Sequence, residues 1–168
     1  MGKAEVKFLN EASQAVMARS EEIVGEIVGE LFRDPESARI LQEASLTREA
    51  LLGMLRGWLP MAFEGDYGDG TCLEVSKIGL TLAAHGLAPG FVLAKLSTVT
   101  EVVSRHVAAG SLFPVVLKAL RWNLTVVMLG YEVTMQWLFK NVLGIDERIY
   151  KRLQAVALKE IMRELGVK

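Results

Sequence analysis

Chemistry-bearing residues are scarce in this chain, which has one cysteine, two histidines and four prolines in 168 residues. Cys72 has no second thiol to pair with, and Met1-Gly2-Lys3-Ala4-Glu5 lacks the apolar core of a secretory leader. A reducing cytoplasm is therefore the expected compartment. Gly2 also lacks the Ser or Thr that a myristoylation motif would place at Val6. His85 and His106 have no Cys or carboxylate pattern around them, so no zinc spacing is present. No nucleophile stands at a diagnostic distance from an acid–base pair, and the expectation is not an enzyme. Gly65, Gly68 and Gly70 lack the preceding strand and following Lys-Ser/Thr of a phosphate loop. Nineteen basic residues against twenty acidic ones leave a formal charge of -1, with no net field to draw in nucleic acid. The longest apolar stretches, 78–94 and 124–139, are broken by His85, Gly86 and Pro89 and by Glu132 and Gln136. Neither is the unbroken run of roughly eighteen residues expected of a membrane span.

What is abundant is apolar side chain, at 51% of the residues, more than a domain of this size readily hides. Self-association is the expected outlet. Helical periodicity dominates: Ile23, Val24, Ile27, Val28, Leu31 and Phe32 form one stripe, predicting a helix from near Phe8 to just before Asp34-Pro35. Asp34 and Pro35 start a short helix through Ala44, and Thr47 caps the next, over 48–63, with Pro60 bending it. A loop over 64–70 follows, then a capping box at Thr71 and Glu74. Gly86 suits the left-handed end of that helix, and Pro89 opens another ending near Gly110. A long helix runs over 113–143. After Gly144, Asp146 caps a last helix, with Ile145 and Tyr150 at staple spacing and Tyr150, Leu153, Ala157, Ile161 and Leu165 on one face. The fold class is all-α, with seven or eight helices.

The segment Ile78-Gly79-Leu80-Thr81-Leu82-Ala83-Ala84-His85-Gly86-Leu87-Ala88-Pro89 resembles the Ile-Gly-x-x-His-x-x-x-Gly-Leu-x-Pro signature of the globin domains of globin-coupled sensors and protoglobins. The resemblance covers roughly residues 8 to 142 and implies a globin-like fold with an additional C-terminal helix. In that family the signature histidine is the proximal haem ligand; this chain has Leu82 there. The family's early helix carries Phe-Tyr-x-x-Leu, and setting its Leu on Leu31 puts the distal Tyr at Val28. Both polar elements of a gas-binding haem site are thereby replaced by hydrocarbon. The nearest substitute ligand, His85, lies three residues on, turned by about 300° and advanced by ~4.5 Å, so a haem set for Leu82 would have to tilt and slide to reach it.

Packing roles are the first expectation for the remaining candidates. His85 fits a helix end and His106, after Ser104-Arg105, a solvated face. Met54, Met61, Met128 and Met135 read as adaptable interior side chains. Cys72 reads as an inert, partly buried thiol, with a redox-sensing thiolate as the alternative. Trp122, Tyr131 and Trp137 lie on the long helix that, by the resemblance, packs on a second subunit.

The expected organisation is a globin-like sensor domain over 1–145 and a dimerising or signal-transmitting helix over 146–168. Within that family the chain resembles the haem-free globin-like domains of stressosome sensor proteins, a close parallel. The expected function is a regulatory, signal-sensing homodimer, assembled through the helices over 89–110 and 113–143, holding no cofactor, spanning no membrane and feeding an output domain or signalling partner. Two alternatives stand beside it. One is a haem-based oxygen or redox sensor ligated by His85, the other a module that binds lipid or a small apolar ligand or serves only to dimerise.

Overall fold

The computed structural model describes residues 3–64, 67–107 and 112–166, with side chains from Leu9 onward. Gly2, Gly65, Gly110 and Lys168, named above, lie outside the described residues. Among those described there are eight α-helices and no strand: α1 Lys3–Met17, α2 Ser20–Arg33, α3 Pro35–Glu43, α4 Arg48–Phe63, α5 Asp69–Ala84, α6 Pro89–His106, α7 Phe113–Trp137 and α8 Glu147–Glu164. A π-helical turn, Leu138–Val142, continues α7. The chain divides into two compact units, Met1–Tyr131 and Glu132–Lys168.

Local capping chemistry sets the starts of α3, α4 and α6 in the first unit. Asp34 accepts the Ser37 N–H at 2.9 Å and Thr47 accepts the Ala50 N–H at 3.2 Å, satisfying donors that α3 and α4 leave orphaned. Pro89 occupies the first turn of α6, where its missing N–H costs nothing. At the end of α5, Gly86 has φ +74, the Leu87 N–H reaches the Leu82 carbonyl and the Gly86 N–H that of Ala83. This is a Schellman closure, with Leu82 and Leu87 both buried beside it.

Three expectations need correction. The predicted helix from Phe8 is two helices, because α1 closes with Ala18 and Arg19 bonding back to Gln14 and Val16, and Arg19 leaves the helical region at φ -126. Glu21 and Glu22 then sit in the first turn of α2, where negative charge favours a fresh start. Helix α5 begins at Asp69 with Gly68 as its extended N-cap, so the Thr71/Glu74 capping box does not form; the Glu74 carboxylate pairs with Lys77 instead. Met135 is exposed, whereas Met54, Met61 and Met128 pack against the core.

The tightest packing is where α5 crosses α7. A Cβ built on Gly79 would land on the Val127 carbonyl oxygen, and one built on Gly130 on the carbonyl oxygen of Ser76. Only glycine lets these two backbones touch.

In the second unit, Asp146 accepts N–H bonds from both Arg148 and Ile149, starting α8, and the Phe139 and Tyr150 rings pack 4.8 Å apart. No residue of α8 is buried; Leu153, Val156, Leu158, Ile161 and Leu165 are all exposed. By length and composition the stretch Phe113–Val142 could cross a membrane: an 18-residue window within it has mean hydropathy 1.3, and 44% of that window is buried within the protein.

Gly79→Ala should lower unfolding free energy by about 3 kcal/mol or more, or prevent folding, because the added methyl meets a backbone atom that cannot rotate away. Gly25→Ala, with nothing near its Cβ position inside α2, should instead raise it by about 0.5–1 kcal/mol. Urea denaturation of both variants checks the pair, and equal effects would contradict the crossing.

Candidate functional site

Within the first unit, helices α2 to α7 line a half-open cavity of about 130 Å³. Ile78 and Leu82 of α5 face Leu120, Asn123, Leu124 and Val127 of α7 across it, and Leu31, Met54, Trp58 and Phe91 add to the wall. Leu82, 8% exposed, therefore stands on the cavity. Val28 is fully buried but is not a wall residue; Leu31, one turn further along α2, takes that place.

Apart from Lys95 and Asn123 the described wall is apolar. Asn123 is fully buried and fully engaged: its Oδ1 accepts the Trp58 indole N–H at 3.1 Å, and its Nδ2 donates to the Ala119 carbonyl at 2.9 Å and the Ala62 carbonyl at 3.5 Å. Such mutual satisfaction is what allows an amide to sit in hydrocarbon. Lys95 lines the cavity and also donates to Asp34 at 3.3 Å. Sequence reasoning passed over both residues. The available signals were an Asn inside a helix of apolar neighbours, where it is a poor helix former, and a Lys between Phe91 and Leu96.

His85 is the C-terminal cap of α5, and its Nδ1 lies 3.0 Å from the Ala44 carbonyl at the end of α3. It is not part of the cavity wall. His106 corrects the expectation of a solvated face. Its side chain is only 9% exposed, with Nε2 2.5 Å from Glu26 of α2 and Nδ1 3.8 Å from Glu22. Arg105 reaches Glu26 at 3.1 Å and Glu30 at 3.9 Å. The hydrogen bond from His106 holds the Glu26 carboxyl below its ordinary value near 4.5; burial opposes this and the charge of Arg105 assists it.

The three aromatics expected at a subunit interface differ in exposure. Tyr131 is buried in its own chain, its hydroxyl without a hydrogen-bond partner and its pKa pushed up to about 12 by burial. Trp122 is half-buried, its ring 4.6 Å from that of Tyr67. Trp137 is 61% exposed. Cys72 is partly buried in the early part of α5. Among the described residues no cluster of His, Cys, Asp and Glu has the geometry of a metal site.

The protoglobin family model matches the chain over residues 1–156. This is wider than the resemblance read from residues 8 to 142 and takes in the first part of α8. No curated protein and no solved structure matches the chain.

The α2–α6 contact generates a pH prediction. Because the folded state lowers the Glu26 carboxyl, the stability it contributes is fully present above its unfolded value and is lost as pH falls through the folded one. The stability gap between the protein and Glu26→Gln should therefore be largest above pH 4.5 and shrink steadily below it. Denaturation midpoints measured across that range test this, and a gap that grows on acidification contradicts it.

Proposed function

Because this chain belongs to the protoglobin family, we propose that it is a globin-like regulatory sensor domain that acts as a cytoplasmic homodimer, holds no haem and catalyses no reaction. The observation carrying this reading is Leu82, a hydrocarbon on the cavity wall at the signature position where the family's iron ligand belongs.

Haem is the cofactor the family implies, and the residues present do not fit it. The described wall offers iron no imidazole, thiolate or phenol, only the Met54 thioether and Lys95, whose nitrogen is engaged by Asp34. The nearest imidazole, His85, is hydrogen-bonded to Ala44, and recruiting it would leave that carbonyl without its partner. About 130 Å³ is also well short of the roughly 300 Å³ and upward of pockets that take drug-sized molecules.

Assembly follows from what the chain leaves uncovered. Leu129, Val133 and Trp137 are spaced four apart on α7, and each is more than 40% exposed. Such a stripe on a long helix calls for a second helix against it. Leu93 on α6 and Phe113 at the start of α7 extend the exposed apolar surface to the two helices expected to pair, and the uncovered face of α8 supports an association or signalling role for the tail. A signal acts on such a dimer only by binding its two arrangements with different affinity.

Protein purified after expression with added haem should show no Soret band, and His85→Ala should change nothing; a band that vanishes in His85→Ala would establish the haem-sensor alternative. Sedimentation at micromolar concentration should show a dimer. Trp137→Asp should weaken it by at least about tenfold, or ~1.4 kcal/mol. A monomeric parent protein would remove the homodimer from the reading.

A further inference from the structure

A second, polar pocket of about 190 Å³ lies against the cavity, and the two share Leu31 and Lys95. Lys95 thus stands at the seam, its aliphatic stem beside hydrocarbon and its ammonium toward Asp34 at 3.3 Å. Ser37 lines the polar side. It is fully buried, and its hydroxyl makes no hydrogen bond of full geometry, lying beside the Asp34 carboxylate, which accepts the Ser37 backbone N–H through Oδ1 and Lys95 through Oδ2. Elsewhere on the cavity wall the polar atoms of Trp58 and Asn123 satisfy each other. A polar group entering the cavity therefore finds the remaining hydrogens of Lys95 at the seam, with the hydroxyls of Ser37 and Thr98 in the polar pocket beyond it.

We propose that the cavity and this pocket form one binding site for an uncharged amphiphile, a hydrocarbon chain of about six carbons ending in a hydroxyl or carbonyl, on the scale of the ~150 Å³ apolar cavities that hold benzene. The inference rests on the reading that haem does not occupy the cavity. The charges on the page select an uncharged head. Glu30, Asp34 and Glu101 outnumber Lys95 and Arg105 around the pocket, so a carboxylate enters a field already negative and competes with Asp34, the cap of α3. A cation would have to compete with Lys95, already at the seam, for the Asp34 carboxylate. Either ion would also have to shed its water. A hydroxyl or carbonyl meets neither obstacle and accepts from Ser37 or Lys95.

The test titrates the full chain with 1-hexanol, hexanoate and hexylammonium, following the Trp58 indole N–H signal by NMR alongside the melting temperature. Saturable shifts with 1-hexanol, and affinity at least about tenfold weaker for both ions, are expected. Leu82→Trp, which fills the cavity, should abolish the shifts. Lys95→Met keeps an unbranched stem without the donor and should weaken 1-hexanol by about tenfold, so the proposal remains testable should Leu82→Trp fail to fold. Tighter binding of either ion, no saturable binding of 1-hexanol, or 1-hexanol binding unchanged in a folded variant would overturn it. A haem titration separates the two readings. Haem that binds and expels 1-hexanol overturns the haem-free reading, whereas failure of 1-hexanol with no haem bound overturns only the ligand class.

Discussion

Two helices touch backbone to backbone only where neither carries a side chain, and Gly79 and Gly130 supply that opening in α5 and α7. The contact fixes where the two helices cross. It thereby sets Ile78 and Leu82, on either side of Gly79, across from Asn123 and Val127 on α7. Move the crossing outward by one methyl group and the cavity loses the spacing between its walls, because close-packed helices transmit such a shift instead of absorbing it. The glycine of the family signature therefore has a backbone role in this chain that owes nothing to iron.

Leu82 takes part in that arrangement twice. Its side chain covers the cavity, while its carbonyl accepts the Leu87 N–H that ends α5. Helix α3 ends by the same bond pattern, with Leu46 donating to Leu41 and Ser45 held at φ +54, a conformation that usually calls for glycine. His85 joins the two helix ends through the Ala44 carbonyl. The imidazole nearest the signature is thus a fastener between turns, and the interior beside it is left to hydrocarbon and to one self-satisfied pair, Trp58 and Asn123.

How far such features were legible in the sequence depended on the range of the interactions behind them. Asp34, Thr47, Gly86, Pro89 and Asp146 act on backbone groups within a few residues, and each stands where local capping rules put it. The break between α1 and α2 was hidden because Leu9, Ala12, Val16 and Ile23, all buried, continue one helical stripe straight through the turn. Thr71 and Glu74 satisfied a spacing rule that an earlier start of α5 made irrelevant. His106 has polar neighbours in sequence, and only the packing of α2 on α6 shows that Glu26 covers it. The cavity, the engagement of Asn123 and the seam at Lys95 join residues from many helices, and no local period encodes them.

Helix α7 carries two apolar surfaces, the cavity wall at Leu120, Leu124 and Val127 and the exposed stripe at Leu129, Val133 and Trp137. Any coupling between a bound molecule and a second subunit has this helix as its shortest covalent route, and the π-helical turn at Leu138–Val142 marks where regular α-helical geometry ends. Energetics limits what such coupling can do. Burying six methylenes yields about 5 kcal/mol at ~0.8 kcal/mol each, and only the difference between two arrangements is free to drive a switch. Carrying a population from 1:99 to 99:1 requires about 5.5 kcal/mol of that difference. A hydrocarbon small enough for about 130 Å³ can therefore operate only a dimer whose two arrangements already lie close in free energy.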